Sequence, residues 1–276
     1  MKSKETTDAA PIVHSAYILD NADPAVPARF DALSTLYDRA TIQCLENCGV
    51  GPGWTCLEVG GGGGTIASWL AARVGPSGHV LVTDLDPRFL AGLNFSNLEV
   101  RCHNIVTDPL PEAAFDLIHA RLVLVHLPAR ETVLKRLIAA LKPGGWIIDE
   151  EFDSVSLPGD PVLNPGEAQL KTQKALFQVV EERGVERRWG RLLYGRMRAL
   201  GLVDVRAEAR LSMWSGGSAG ASLARANFEQ LRDVLVASGL VTEEELQQDI
   251  TRLDHPDFMM PSPIMWTAWG RRPAKQ

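Results

Sequence analysis

The chain has 276 residues, enough for one enlarged domain or two small ones at roughly 150 residues per domain. Its 45% hydrophobic and 22% charged content excludes wholesale disorder, collagen and a disulfide-rich secreted scaffold. The 28 Lys and Arg against 34 Asp and Glu leave a net charge of -6 with no long basic block, which argues against nucleic acid as a partner.

Met1 to Pro11 is polar and mixed in charge, and no later run approaches the ~20 apolar residues of a membrane span. A cytoplasmic chain with no membrane partner is expected. Cys44, Cys48, Cys56 and Cys102 form no C-x-x-C pair and read as reduced thiols; Cys44 and Cys48, one helical turn apart, read as buried thiols rather than a metal site. Phe30, Leu33, Leu36, Tyr37, Ala40 and Cys44 recur at helical spacing until Gly49 and the Gly51-Pro52-Gly53 cluster, so residues 1–50 are expected to form an N-terminal helical cap.

Thr55 to Val59 reads as a short buried strand that runs into five glycines, Gly60 to Gly64, and then into Ile66, Trp69, Leu70 and Val74 at helical spacing. The Gly75-Pro76-Ser77-Gly78 turn stops that helix. His79 to Thr83 is a second strand ending at Asp84, which completes a βαβ unit and implies a parallel sheet. Strands follow at Leu98 to Cys102 and Phe115 to Ala120, then an amphipathic helix through Val133, Leu134, Leu137, Ile138 and Leu141. The Lys142 to Gly145 turn leads to a strand at Trp146 to Ile148. Beyond Phe152 the pattern loosens over Leu157 to Gly166. It turns helical through Leu170 to Val180 and Leu192 to Leu200, and ends with strands at Val203 to Leu211 and Ile264 to Trp269. A helical insertion lies between those strands, one helix being announced by the capping box of Thr242 and Glu245. The predicted division is a cap (1–50), a ligand-binding core (51–152) and a completion of the sheet (153–276) that carries the insertion at about 218–262.

A glycine turn between a buried strand and a helix lets backbone approach a ligand and aims free N–H groups at it. Glu58 to Gly64 satisfies acid-x-G-x-G-x-G, whereas a nicotinamide-type G-x-G-x-x-G starting at Gly60 fails at Thr65; the relaxed form from Gly62 through Gly64 to Ala67 keeps an NAD(P)-dependent oxidoreductase open. Glu58, two residues before the first glycine, repels a pyrophosphate and suits an ammonium or sulfonium group. Asp84 is placed to accept from the two hydroxyls of a ribose, with a helix N-cap as the alternative role; Asp86 before Pro87 is the better cap.

LEVGGGGGT (Leu57 to Thr65), VTDLDP (Val82 to Pro87), FDLIHARLVLVHLP (Phe115 to Pro128) and LKPGGW (Leu141 to Trp146) occur in order over about Thr55 to Phe152. In these the chain resembles the class I S-adenosylmethionine-dependent methyltransferases, in particular the ubiquinone/menaquinone-methyltransferase-like branch acting on small molecules. The resemblance implies an α/β, Rossmann-like, seven-stranded mostly parallel sheet with its last strand antiparallel, helices on both faces and a helical lid. It implies S-adenosyl-L-methionine as cofactor. Gly60, Gly62 and Gly64 would line its methionine part, Glu58 would orient the amino group, Asp84 would hold the ribose beside Leu85, and Ala120 and Arg121 would meet the amino-acid end. Where many relatives have Gly-Asp-Ala, this chain has His103-Asn104-Ile105, so Asn104 would accept from the adenine amino group and Ile105 would pack on the ring.

Methyl transfer from a sulfonium disperses charge and demands neither an oxyanion hole nor a metal, so positioning, worth about 7 to 11 kcal/mol in intramolecular systems, can be the main catalyst. A base is needed only where the acceptor loses a proton. Candidates are His14, Tyr17, His119, His126, Glu151, Asp153 and His255, of which His126 matches a histidine common in the family and His119 is expected to lie away from the ligand. Glu150 and Glu151 are expected to end the fifth strand, where one would touch substrate. Tyr17, Glu151, Phe152, Trp214 and Phe228 are the candidate acceptor-binding residues. Seven Trp against three Tyr fit an apolar, aromatic or prenylated acceptor, methylated at carbon, nitrogen or oxygen; carbon methylation through a Trp-stabilised cation is the minority reading. The other readings are the oxidoreductase and a protein that keeps the cofactor without methylating. Homo-oligomerisation through the N-terminal segment is a further expectation.

Overall fold

A computed structural model describes residues 21–155 and 170–274. In chain order the elements are α1 (Val26–Asn47), β1 (Thr55–Val59), α2 (Thr65–Val74), β2 (His79–Asp84), β3 (Leu98–Cys102), β4 (Phe115–Arg121), α3 (Arg130–Ala140) and β5 (Leu141–Asp153). They continue with α4 (Lys171–Glu182), α5 (Trp189–Ala199), β6 (Val203–Arg210), β7 (Met213–Ser215), α6 (Ala219–Gln230), α7 (Arg232–Ala237), α8 (Glu243–Arg252), β8 (Met259–Pro261) and β9 (Ile264–Arg271).

The main sheet has 7 strands in the order β3-β2-β1-β4-β5-β9-β6, and β9 alone runs antiparallel to its neighbours. The expected α/β architecture with an antiparallel last strand is therefore present. Strand alternation divides the core in two. Leu57, Val59, Ile118, Ala120 and Ile147 point to one face, where α3 and α5 cover them with Leu134, Leu137, Trp189 and Leu193. Cys56, Val80, Val82, Leu117 and Ile148 point to the other, against α2 and the C-terminal half of α1. A third apolar cluster joins α4, α6, α7 and α8 to the N-terminal half of α1 through Ala32, Trp214, Phe228, Leu235, Leu246 and Ile250. It forms a roof over the carboxyl ends of the strands.

Two local departures from the sequence pattern matter. The strand predicted at Trp146 to Ile148 runs from Leu141 to Asp153, because the Lys142 to Gly145 turn is absorbed as an irregularity between the Phe115–Leu141 and Leu117–Trp146 pairs. Glu150 and Glu151 therefore lie inside a buried strand, not at its end. The second is a two-stranded ribbon, β7 with β8, at the base of the insertion. Its strands are 3 residues each, too short for a periodic signal. The capping box predicted for α8 is formed by Thr242 and Glu245. No helix among the described residues is long and apolar enough to cross a membrane.

Candidate functional site

The carboxyl ends of β1, β2 and β4 open into a cavity of about 740 Å³. It runs from the glycine loop and the ends of β1 and β2 to the underside of α4 and α6, so one chamber joins both halves of the predicted site. This is where open parallel sheets bind ligands, and the volume falls in the usual range for small-molecule sites.

The loop after β1 folds back on β2: the N–H groups of Gly60 and Gly61 both donate to the Thr83 carbonyl, at 2.7 and 3.1 Å. Gly60 has φ +69°, and a Cβ built there would lie 2.4 Å from Val123 Cγ2. An alanine at this position needs both a left-handed backbone and a displaced Val123. G60A should lower the melting temperature by several degrees, roughly 1 to 3 kcal/mol, and weaken any ligand that rests on the loop; circular dichroism melting checks the first effect. Gly64 is the left-handed N-cap of α2, and its missing Cβ faces Leu90 and Leu93. It shapes the turn without lining the chamber, contrary to the role assigned from sequence.

Asp84 ends β2 with its carboxylate on the chamber wall. Oδ2 accepts from Gly62 N–H at 3.1 Å and Oδ1 from Asp86 N–H at 3.0 Å, so both oxygens are oriented and each keeps a lone pair for a ligand. Burial raises its pKa above the usual carboxylate value, opposed by those backbone N–H groups. Asp86 caps the following turn by accepting from Arg88 N–H, as expected for an Asp before Pro. Leu85, Ile105 and Val106 supply apolar surface nearby. Asn104 also lines the chamber, but its Oδ1 accepts from Val106 N–H at 2.9 Å in a local turn. An adenine amino group would therefore have to share that oxygen. Ala120 is fully buried and off the chamber surface, and the Arg121 guanidinium is bound to Asp38 at 2.9 Å and Thr41 at 3.0 Å. The end of β4 offers backbone at Arg121, with its side chain committed to α1.

Glu58 is buried at the foot of the chamber, and beneath it lies a row of polar groups that crosses four strands. His119 Nδ1 meets Glu58 Oε2 at 2.7 Å; its Nε2 is 3.3 Å from Glu150 Oε2. Thr267 on β9 donates to Glu150 Oε1 at 2.6 Å, and Thr41 on α1 donates to Glu150 Oε2. Burial disfavours charge on His119, but the Glu58 carboxylate and the bonds to Glu150 and Glu58 overcome it and carry its pKa up to about 9. Burial likewise opposes the Glu150 charge, and His119 prevails, taking its pKa down to about 2. The row is a carboxylate–imidazolium–carboxylate bridge that fixes the Glu58 side chain. His119 lies away from the chamber, as expected, yet holds a group that faces it. That link was not legible in the sequence, because it depends on which strands are neighbours.

Asp149 and Glu151 point to the opposite face of β5 and are equally buried. Glu151 Oε1 accepts from the N–H groups of Val123, Leu124 and Val125, at 3.1, 2.7 and 3.2 Å, which fixes the turn after β4. Burial first and the Asp149 charge second raise its pKa well above the carboxylate range, and burial pushes Asp149 up to about 7. Glu151 does not line the chamber, and its expected role as a substrate contact or base is corrected to that of a backbone anchor. Its neighbours in sequence settle the matter, since alternation sends consecutive acids to opposite faces.

Of the other base candidates, Asp153 is paired with Arg191 and His255 is exposed outside the chamber. His14 and Tyr17 lie outside the described residues. His126, in a short turn after β4, lines the chamber; burial, reinforced by the positive charges of Arg29 and Arg130, holds its pKa down to about 4 and keeps the imidazole neutral. The far half of the chamber is walled by Phe152, Leu176, Trp214, Leu223 and Phe228, with Gln173 and Asn227 as polar groups. Phe152, Trp214 and Phe228 thus stand where an acceptor pocket was expected. Gln173, Asn227 and Arg29 were not anticipated. Among the described residues no group of three or more His, Cys, Asp and Glu is arranged to hold a metal.

Residues 57–147 match a family described as a methyltransferase domain. The chain is 38% identical over 135 residues to the methyltransferase str2 of Strobilurus tenacellus, covering 48% of each protein. It is 27% identical over 183 residues to the ubiquinone/menaquinone biosynthesis C-methyltransferase UbiE of Vibrio campbellii, covering 59% of this chain and 62% of that protein. The chain thus spans about half to three fifths of the length of these curated relatives. Among solved structures, the phosphoethanolamine N-methyltransferase 2 of Haemonchus contortus, in complex with phosphomonomethylethanolamine and S-adenosylhomocysteine, superposes with a TM-score of 0.60 at 14% identity, covering 96% of this chain and 61% of that one.

Proposed function

We propose that this chain, which has the fold and motif set of the class I S-adenosylmethionine-dependent methyltransferases, transfers a methyl group from S-adenosyl-L-methionine to an apolar small molecule, aromatic or prenylated. The observation that carries the reading is the single chamber, which joins an acid-lined glycine loop at one end to an aromatic wall at the other.

The residues at the loop fit the cofactor. Glu58 and Asp84 present carboxylates suited to an ammonium and to paired ribose hydroxyls, while Leu85, Ile105 and Val106 offer apolar contact to a base. Two carboxylates beside a glycine turn repel the diphosphate of a nicotinamide dinucleotide. When bound, the cofactor supplies an electrophilic methyl group on a sulfonium. The protein's own part is to orient and to exclude water. Phe152, Trp214 and Phe228 would hold an apolar acceptor under the roof formed by α4 and α6, and α1 closes the side. His126, neutral at physiological pH, is suited to take a proton from an acceptor hydroxyl or amine; the chamber wall also holds the imidazole of His103, whose Nε2 lies 3.3 Å from the Pro109 carbonyl oxygen.

Isothermal titration with S-adenosylhomocysteine tests the cofactor. Saturable binding at micromolar concentrations is expected; no heat at ~1 mM would overturn the reading, and a fluorescence change on adding NADH would favour the oxidoreductase. Mass spectrometry of candidate acceptors incubated with donor should show the gain of one CH2 unit per transfer.

A further inference from the structure

The far half of the chamber is walled by α4 and α6, and on each helix the stripe that faces inward is apolar but for one amide. On α4, Gln173 precedes Leu176, Phe177 and Val180 at helical spacing; on α6, Asn227 lies between Leu223 and Phe228. Gln173 is 7% exposed and Asn227 is half-buried, and neither side-chain amide is hydrogen-bonded to a described residue. The first turn of α4 is fixed where it stands. Thr172 N–H donates to Asp249 on α8 at 2.8 Å, and the Lys171 ammonium is paired with Glu245 at 2.6 Å. Arg187, also on the chamber wall, is turned to other partners: it donates to the carbonyl and hydroxyl of Ser154 at 2.8 and 3.1 Å and covers the Phe177 ring at 4.4 Å.

An apolar ligand that fills this half drives water off both amides. Each amide then pairs with the ligand or is left buried and unpaired, which is the costlier state. A methionine or leucine at either position would complete the apolar stripe without that penalty, so the amides make the pocket discriminate in favour of a ligand that brings their partner. An amide offers two N–H donors and a carbonyl acceptor and carries no charge. The group that suits it is a neutral oxygen, a hydroxyl or a carbonyl, because a charged group would leave water with only dipoles to receive it.

We propose that Gln173 and Asn227 are specificity-determining residues of the chamber, which select an aromatic acceptor carrying a neutral hydroxyl or carbonyl on its otherwise apolar body. The inference rests on the reading of the far half as the acceptor pocket and narrows it, since a plain hydrocarbon is not the group held between α4 and α6.

The test is a preference among three probes of one ring system. 2-Naphthol, 2-acetonaphthone and 2-methylnaphthalene are titrated into the full chain, with and without S-adenosylhomocysteine, for wild type, Q173M, N227L and the double variant. Wild type should bind at least one oxygenated probe roughly 10- to 100-fold more tightly than 2-methylnaphthalene. Preference for 2-naphthol identifies the group as a hydroxyl, and preference for 2-acetonaphthone as a carbonyl. The double variant should lose the preference by binding the oxygenated probes more weakly while holding or gaining affinity for the hydrocarbon, and the single variants show which amide makes the contact. A wild type that binds the three probes alike, binds the hydrocarbon best or binds none of them overturns the proposal, and so does a double variant that keeps the preference. S-adenosylhomocysteine should bind the variants as it binds wild type; a matching loss there would mean that the amides act through the fold and would overturn the proposal as well. A wild type that prefers the oxygenated probes but binds no S-adenosylhomocysteine would sink the cofactor assignment and leave this one standing, whereas S-adenosylhomocysteine binding without a preference among the probes would do the reverse.

Discussion

Removing the Asp84 carboxylate, as in D84A, should lower affinity for S-adenosylhomocysteine by roughly a hundredfold or more. Each hydrogen bond from a ligand hydroxyl to a carboxylate is worth about 1.5 to 3 kcal/mol, and the geometry offers two of them. Both oxygens are already aimed by Gly62 and Asp86 N–H groups, so no orientation has to be acquired on binding. D84N keeps one acceptor oxygen and should retain part of the affinity. The discriminating measurement is titration with the 2′-deoxy analogue of S-adenosylhomocysteine. Wild type should bind it more weakly than the ribo compound, and D84A should bind the two alike. An equal loss for both ligands in D84A would mean that Asp84 acts only by holding the loop.

His119 carries the other large effect. H119L leaves the carboxylates of Glu58 and Glu150 buried side by side with no cation between them. Breaking a buried pair in this way costs about 3 to 5 kcal/mol, which for a chain of this size is a fall in melting temperature of the order of 10 °C. The pH dependence has a definite sign. The histidine's folded pKa is about 9 against 6.5 for the free side chain, so its contribution to stability is complete below pH 6.5 and is lost as the pH rises through about 9. That contribution is of the order of 3 kcal/mol. Asp149, held up to about 7 by burial, acts in the same direction at lower pH, because its carboxyl is stabilised in the protonated form. Calorimetry should therefore show the melting temperature of the wild type falling between pH 6.5 and 9, and H119L should lose that segment of the decline. A flat wild-type profile across this range would show that the ring is not charged. H119Q, which restores a hydrogen bond without the charge, should sit between the two in stability and in affinity for S-adenosylhomocysteine.

The sequence by itself determined the presence and order of the main-sheet strands, the glycine turn, the βαβ units and the acids at the ends of β1 and β2, but neither the short β7–β8 ribbon nor the full length of β5. These are local properties: alternation, helical spacing and turn composition are written in consecutive residues. It also singled out Phe152, Trp214 and Phe228, which line the far half of the chamber. Only the tertiary structure decided what the buried charges do. Glu150 and Glu151 are adjacent in sequence, and the pleat sends one to the His119 bridge and the other to the backbone of the turn after β4. His119 and Glu58 are 61 residues apart and meet because β1 and β4 are neighbours in the sheet. Arg29 was hidden for the same reason, since it reaches the chamber wall only once α1 is laid over the ends of the strands. The energy of a buried charge is set by what surrounds it in three dimensions, and strand order and helix docking, not sequence spacing, choose those surroundings.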